Sequence, residues 1–215
     1  MWVYIGFIQW MWMNRQITYF GKNEEIQYNT FMKRLNAQEL RMTPVSIEEY
    51  KKRKKNPITL ILDNVLDTYN VGAIFRLADA LSVEKVYLCG GTETPPNSKI
   101  KKASINTWQW MEWEYQPTAF QAVGNLKSQN PNLKIVVVEQ DPRSIPFQKA
   151  EYQFPLALVV GNETYGVSKE VLDVADMIVE LPMWGINKSL NVMVSCGIVL
   201  YEVMKYVLRE KNAYA

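Results

Sequence analysis

The 215-residue chain contains no histidine. That absence excludes Ser-His-Asp hydrolysis, imidazole proton shuttling and the commonest zinc sites. Cysteine is almost as scarce. Cys89 and Cys196 are the only two, both in apolar surroundings and without CxxC spacing. They are expected to be reduced core thiols of a cytoplasmic protein, not a disulfide or metal pair. No apolar run reaches the roughly 18 residues of a spanning helix, so neither a membrane partner nor a metal is expected.

Net charge is small as well, at +2, but it is unevenly spread. Residues 1–60 hold ten Lys and Arg against five Asp and Glu, and the remainder carries a slight acidic excess. Five contiguous cations, Lys51, Lys52, Arg53, Lys54 and Lys55, supply the imbalance. Such a run is either a phosphate-binding patch or the solvated end of a helix.

The length suits one domain with a sizeable core plus an extension. Residues 1–31 are expected to be a poorly ordered or non-native addition, with natural initiation at Met32. Their opening, MWVYIGFIQWMWM, is aromatic but too short to span a bilayer. A partner-binding segment is the rival reading. Residues 32–56 read as a basic helical extension, with an amphipathic helix over Thr30–Met42. Residues 57–210 read as the folded domain.

Within that domain short β-rich runs alternate with helical ones. Ile58–Leu62, Lys85–Cys89, Lys134–Glu139, Leu156–Val160 and Met177–Leu181 have the length and apolar content of buried strands. Val71, Ile74, Phe75, Ala78 and Leu81 recur at helical spacing, and Asn70 is placed as the N-cap. Pro117–Ser128, Ser168–Ala175 and Ser189–Arg209 read as further helices, the last apolar nearly all round and headed by Ser189. Gly90–Lys102 reads as a long polar loop. This alternation predicts an α/β domain, a mostly parallel sheet with helices on both faces. Ligands of such sheets gather beyond the carboxyl ends of the strands. The loops after Leu62, Glu139, Val160 and Leu181 are therefore where chemistry is expected.

Three of those loops carry polar constellations. Asp63–Arg76 reads DNVLDTYNVGAIFR, Val160–Ser168 reads VGNETYGVS, and Leu181–Glu202 reads LPMWGINKSLNVMVSCGIVLYE. Taken singly, the glycines form turns, Arg76 is a surface cation and Ser189 a cap. At corresponding strand ends, together, they point to a ligand site.

At these residues the chain resembles the SpoU/TrmH branch of the SPOUT methyltransferases. The resemblance rests on NxxxxxR in Asn70–Arg76, GNExxGxS in Gly161–Ser168 and LPMxGxxxSLNV from Leu181 onward. It covers roughly Ile58–Tyr206. Each motif alone is common, whereas three in order are specific. The resemblance implies a domain whose C-terminal part is threaded into a deep trefoil knot, an exception to the rule against threaded chains. It implies a homodimer that methylates a ribose 2′-hydroxyl of tRNA or rRNA with S-adenosylmethionine as donor. Val138, Glu139, Gly161, Leu181, Ser189 and Leu190 match cofactor-contacting places. Asn70, Arg76, Glu163, Ser189 and Asn191 match the polar residues of catalysis or RNA placement. Lys51–Lys55, Lys99 and Lys102 are candidates for phosphate contact, and Trp108, Trp110 and Trp113 for either base stacking or aromatic cover. A catalytically inactive RNA-binding or dimerisation module of the same fold is the alternative.

Overall fold

The computed structural model describes residues 47–213, which lie within one compact unit running from Leu40. The expectations for residues 1–31 and for a helix over Thr30–Met42 lie outside the described residues. A short helix, α1 (Ile47–Lys52), leads into β1 (Asn56–Asp63), α2 (Thr68–Ala80) and β2 (Val83–Cys89). Then follow α3 (Ser98–Ser104), a 3-10 turn (Thr107–Gln109), β3 (Trp113–Gln116) and α4 (Ala119–Gln129). β4 (Lys134–Val138), β5 (Ile145–Pro146), a second 3-10 turn (Phe147–Lys149), β6 (Leu156–Val160), α5 (Lys169–Asp173), β7 (Met177–Glu180) and α6 (Val192–Ala213) complete the order.

The seven strands form one sheet in the order β3-β2-β1-β6-β4-β7-β5, and every pairing is parallel. Side chains of a strand alternate between faces, and the buried residues divide accordingly. Ile58, Leu60, Leu62, Leu156 and Leu158 join a core with Val71, Ile74 and Phe75 of α2 and Val199, Leu200 and Val203 of α6. Ile61, Ile135, Val137, Ala157 and Val159 face the opposite way, onto Ala122 and Val123 of α4 and Val171 of α5. Continuous apolar runs are what a strand covered on both sides requires. The α/β expectation holds.

Several local expectations need correction. The cap of α2 is Asp67, not Asn70. The Asp67 carboxylate accepts the N–H of Tyr69 at 2.8 Å, and the helix starts at Thr68, leaving Asn70 in its first turn. The long polar loop contains α3, whose cap Asn97 accepts the N–H groups of Lys99 and Ile100. Helix α6 begins at Val192 rather than at Ser189. Asn191 Oδ1 accepts the N–H groups of Met193 and Val194 at 3.0 and 3.3 Å. Nor is α6 buried all round. Cys196, Val199, Leu200, Val203 and Val207 are buried, but Val194, Ile198, Tyr201 and Leu208 form an exposed stripe. The edge strands β3 and β5 are too short to have been read from periodicity.

Both cysteines are buried free thiols, as expected, and burial pushes each up to about 12, with Asp63 adding to the effect at Cys89. Trp108, Trp110 and Trp113 pack as partly buried cover on the first core. Trp110 also donates to Asp79 Oδ1 at 2.8 Å.

Candidate functional site

The carboxyl ends of β4, β6 and β7 open into a cavity of about 420 Å³, within the range of small-molecule sites. Its lining brings together Val138, Glu139, Gly161, Leu181, Ser189 and Leu190, all six of the places expected to contact a cofactor. Glu163 and Asn191 line it too. Three loops far apart in the chain thus share one cleft, where the strand order changes direction beside β1.

The loop after β6 is shaped by its own backbone. Asn162 and Gly166 exchange hydrogen bonds at 2.9 and 3.0 Å, and Asn162 Oδ1 accepts the N–H groups of Thr164 and Tyr165. A Cβ at Gly161 would sit 2.3 Å from both the Gly166 carbonyl carbon and the Val167 nitrogen. No other residue fits that crossing. The result is a wall of bare backbone on one side of the cavity.

A polar chain runs from the wall to the helix starts. Glu163 accepts the N–H groups of Leu66 and Asp67, both at 3.1 Å, and the side-chain amide of Asn70 at 2.9 Å. Asn70 Oδ1 in turn accepts from Asn191 Nδ2 at 3.0 Å. Partial burial pushes the Glu163 carboxyl up, but the hydrogen bonds from Asn70 and the backbone outweigh it, and it titrates below the usual carboxylate range. Asn70 is buried and takes part in the site through Glu163 and Asn191 rather than by lining the cavity.

Arg76 does not converge on the cavity as expected. It is exposed and absent from the lining. Six residues past Asn70 turn a helical side chain through about 240° and carry it about 9 Å along the axis. That places Arg76 on the open face of α2, two turns beyond the exposed Tyr69. Ser189 lines the cavity but caps nothing, because Asn191 has taken that role.

The basic residues divide. Lys51, Lys52, Arg53, Lys54, Lys99 and Lys102 are exposed. Lys55 is not available to a phosphate, contrary to expectation. Its ammonium lies 3.2 Å from the centroid of the Tyr50 ring and is buried without a hydrogen-bond partner among the described residues. Burial pushes its pKa down, against the opposing pull of Asp79 and Glu112. Tyr50 is in turn anchored by its hydroxyl on Met111 Sδ at 2.7 Å.

Sequence reasoning missed Gln140, Thr164, Glu180, Met183 and Ser195, which also line the cavity. For Gln140 and Glu180 the signal was available, since both stand at strand ends beside residues already chosen. Glu139, Glu163 and Glu180 belong to the lining, against the single cation Lys188. The carboxylates of Glu139 and Glu163 are held by the hydrogen bonds of the surrounding loops. A small molecule bearing positive centres and hydrogen-bonding edges suits such a lining.

The sequence profile of the SpoU rRNA Methylase family matches residues 57–201, the span from β1 into the first half of α6. The chain belongs to this family. It is 32% identical over 175 residues to the tRNA (guanosine(18)-2′-O)-methyltransferase of Aquifex aeolicus, covering 79% of this chain and 78% of that protein. The enzyme of the same name from Thermus thermophilus is 30% identical over 163 residues, 76% of this chain and 82% of that one. Among solved structures, the A. aeolicus TrmH/SpoU tRNA modifying enzyme superposes with a TM-score of 0.66 at 32% identity, covering 83% and 85% of the two chains. The AdoMet complex of the SpoU methyltransferase AviRb from Streptomyces viridochromogenes gives 0.66 at 20% identity, over 77% and 63%. At that identity the likeness speaks for the fold.

Proposed function

We propose that this chain is an RNA 2′-O-ribose methyltransferase that uses S-adenosylmethionine and acts on tRNA or rRNA. The observation that carries this reading is the meeting of two motif loops of a SpoU-family chain, those after β6 and β7, with the end of β4 around one cavity. Asn70 of the remaining motif is hydrogen-bonded to both loops through Glu163 and Asn191. The donor fits the residues present. The acidic side chains suit its sulfonium and ammonium, and the Gly161 backbone leaves room for close approach. When bound, it supplies a methyl group already electrophilic enough to need no metal.

The protein's work is then alignment and charge control. Backbone groups at Gly161, Leu181 and Leu190, with Ser189, hold the donor. The Glu163–Asn70–Asn191 chain fixes the wall and the α6 start between which the ribose enters. Positioning of this kind lowers barriers by roughly 7–11 kcal/mol in favourable cases. Arg76, held outside the cavity, suits the phosphate next to the target ribose. A guanidinium keeps its proton, so its part is to bind that phosphate and stabilise the developing alkoxide while the phosphate accepts the proton.

Lys51, Lys52, Arg53, Lys54, Lys99 and Lys102 track the RNA backbone in this reading. The chain works as a homodimer, for which the exposed stripe Val194, Ile198, Tyr201 and Leu208 on α6 supplies a self-complementary face. A C-terminal trefoil knot is part of the same reading and rests on the family to which the chain belongs. The two buried, unpaired thiols accord with a cytoplasmic setting. Calorimetric titration with S-adenosylmethionine, followed by mapping of 2′-O-methyl nucleotides in RNA from cells with and without the gene, tests the reading. Absence of donor binding would instead identify an inactive RNA-binding or dimerisation module.

A further inference from the structure

The loop from Leu181 to Asn191 supplies one side of the cavity, yet it has little to hold it. Trp184 and Ile186 are 89% and 97% exposed, and Ser189, Leu190 and Asn191 are exposed as well. Among the described residues, one hydrogen bond reaches residues 183–190. Gln140 Nε2 donates it to the backbone carbonyl of Lys188. The bond lands immediately before Ser189, Leu190 and Asn191, which line the cavity ahead of α6.

Gln140 is itself held by its neighbour. Its N–H donates to Glu139 Oε1 at 2.8 Å, while Glu139 Oε2 accepts the N–H of Val167 at 2.9 Å. The carboxylate lies against Gly166, where φ is +70° and a Cβ would come within 2.1 Å of Oε2. The two residues after β4 thus reach in opposite directions. Glu139 ties down the loop after β6, and Gln140 ties down the loop after β7.

From this we infer that Gln140 is a positioning residue, which sets the 181–191 loop before the methyl donor binds. The inference rests on the donor-site reading above. A loop ordered in advance loses less freedom on binding, so the tether strengthens affinity for the donor without touching the reacting atoms. An amide is suited to the task because it donates without bringing charge. The isosteric carboxylate of Gln140→Glu has no proton to give and would face the Lys188 carbonyl with a lone pair.

The test uses the full chain and two readouts. Endoproteinase Lys-C cleaves after lysine, and the Lys188–Ser189 peptide carries the very carbonyl that Gln140 holds. Without donor, Gln140→Glu is expected to be cut at Lys188 several-fold faster than wild type, with cleavage at the exposed Lys102 as internal control. Gln140→Arg, which regains a donor and adds no Lys-C site, is expected to return the rate to within about twofold. In methyl transfer, Gln140→Glu is expected to raise the donor KM about fivefold, the scale of one neutral hydrogen bond, with the effect falling on KM rather than on kcat. Equal cleavage of wild type and Gln140→Glu would overturn the tether. Faster cleavage with unchanged KM, or a loss confined to kcat, would overturn its role in donor binding. A wild-type protein that binds no donor, yet shows the Lys188 protection, would mark failure of the donor reading rather than of the tether.

Discussion

Asn191 Nδ2 and Asn70 Oδ1 lie 3.0 Å apart and join the head of α6 to the first turn of α2 across 121 positions of sequence. Each amide also serves a second partner. Asn191 Oδ1 caps α6, and Asn70 Nδ2 meets Glu163. The two ends of Asn191 can be separated by mutation. Asn191→Ala removes cap and bridge together and is expected to cost about 1 kcal/mol of stability. Asn191→Asp keeps a capping oxygen and a charge suited to a helix N-terminus, but has nothing to donate to Asn70. It should retain more stability than the alanine variant in urea denaturation while losing turnover of tenfold or more. Full turnover in Asn191→Asp would mean that the bridge is not needed.

Glu163 gives a pH dependence whose sign follows from its environment. Its hydrogen bonds hold the folded-state pKa below the ordinary 4.5. The stabilisation is therefore present in full above 4.5 and fades as pH falls through the lowered native value. Glu163→Gln should melt below wild type at pH 7, because an amide cannot accept from Asn70, Leu66 and Asp67 as a carboxylate does. The gap in Tm between the two proteins should close as pH is taken below 4.5. A gap that widened on acidification would contradict the assignment.

Strands and the order of the motif loops were legible because they follow from composition along short stretches. Ile58–Leu62 and Leu156–Val160 are apolar runs of strand length, and both became central strands buried on two faces. Helix starts were less legible. Asp67, Asn70, Ser189 and Asn191 are all acceptable caps by type, and the choice between them is made in space. Asn70 is drawn away by Glu163, 93 residues distant. The cap of α6 passes to Asn191 because that residue can bridge to α2 at the same time. Lys55 failed for a similar reason. In sequence it is one of five equal cations, and only the placing of Tyr50 beside it turns it inward. The cavity lining was read from resemblance. Gln140 carries no motif, and although its place beside Glu139 at a strand end was legible, its partner, the Lys188 carbonyl, emerges only in space.

Arg76 separates binding from chemistry. It is exposed on α2, and no hydrogen bond or ion pair to another described residue engages it. Arg76→Lys keeps the charge but loses the planar fork that can hold a phosphate and an alkoxide together. RNA affinity by filter binding is expected to stay within about threefold, since one cation is still offered. Single-turnover methyl transfer is expected to fall at least tenfold. Equal turnover would remove Arg76 from the mechanism.

The lysines divide by what salt does to their variants. Each phosphate contact that releases a counterion adds roughly 0.7 to 0.9 to the slope of log affinity against log salt. Lys99 and Lys102 stand exposed on α3, and changing either to alanine should lower the slope by about that much if it meets a phosphate. Lys55 is a built-in control. Its ammonium sits over the Tyr50 ring, away from water and without a hydrogen-bond partner among the described residues. Lys55→Met keeps the length of the side chain and removes the buried charge. It should leave the slope unchanged, although the run Lys51–Lys55 has lost one of its five cations. A slope that fell as much for Lys55→Met as for Lys99→Ala would show that Lys55 leaves Tyr50 and reaches the RNA.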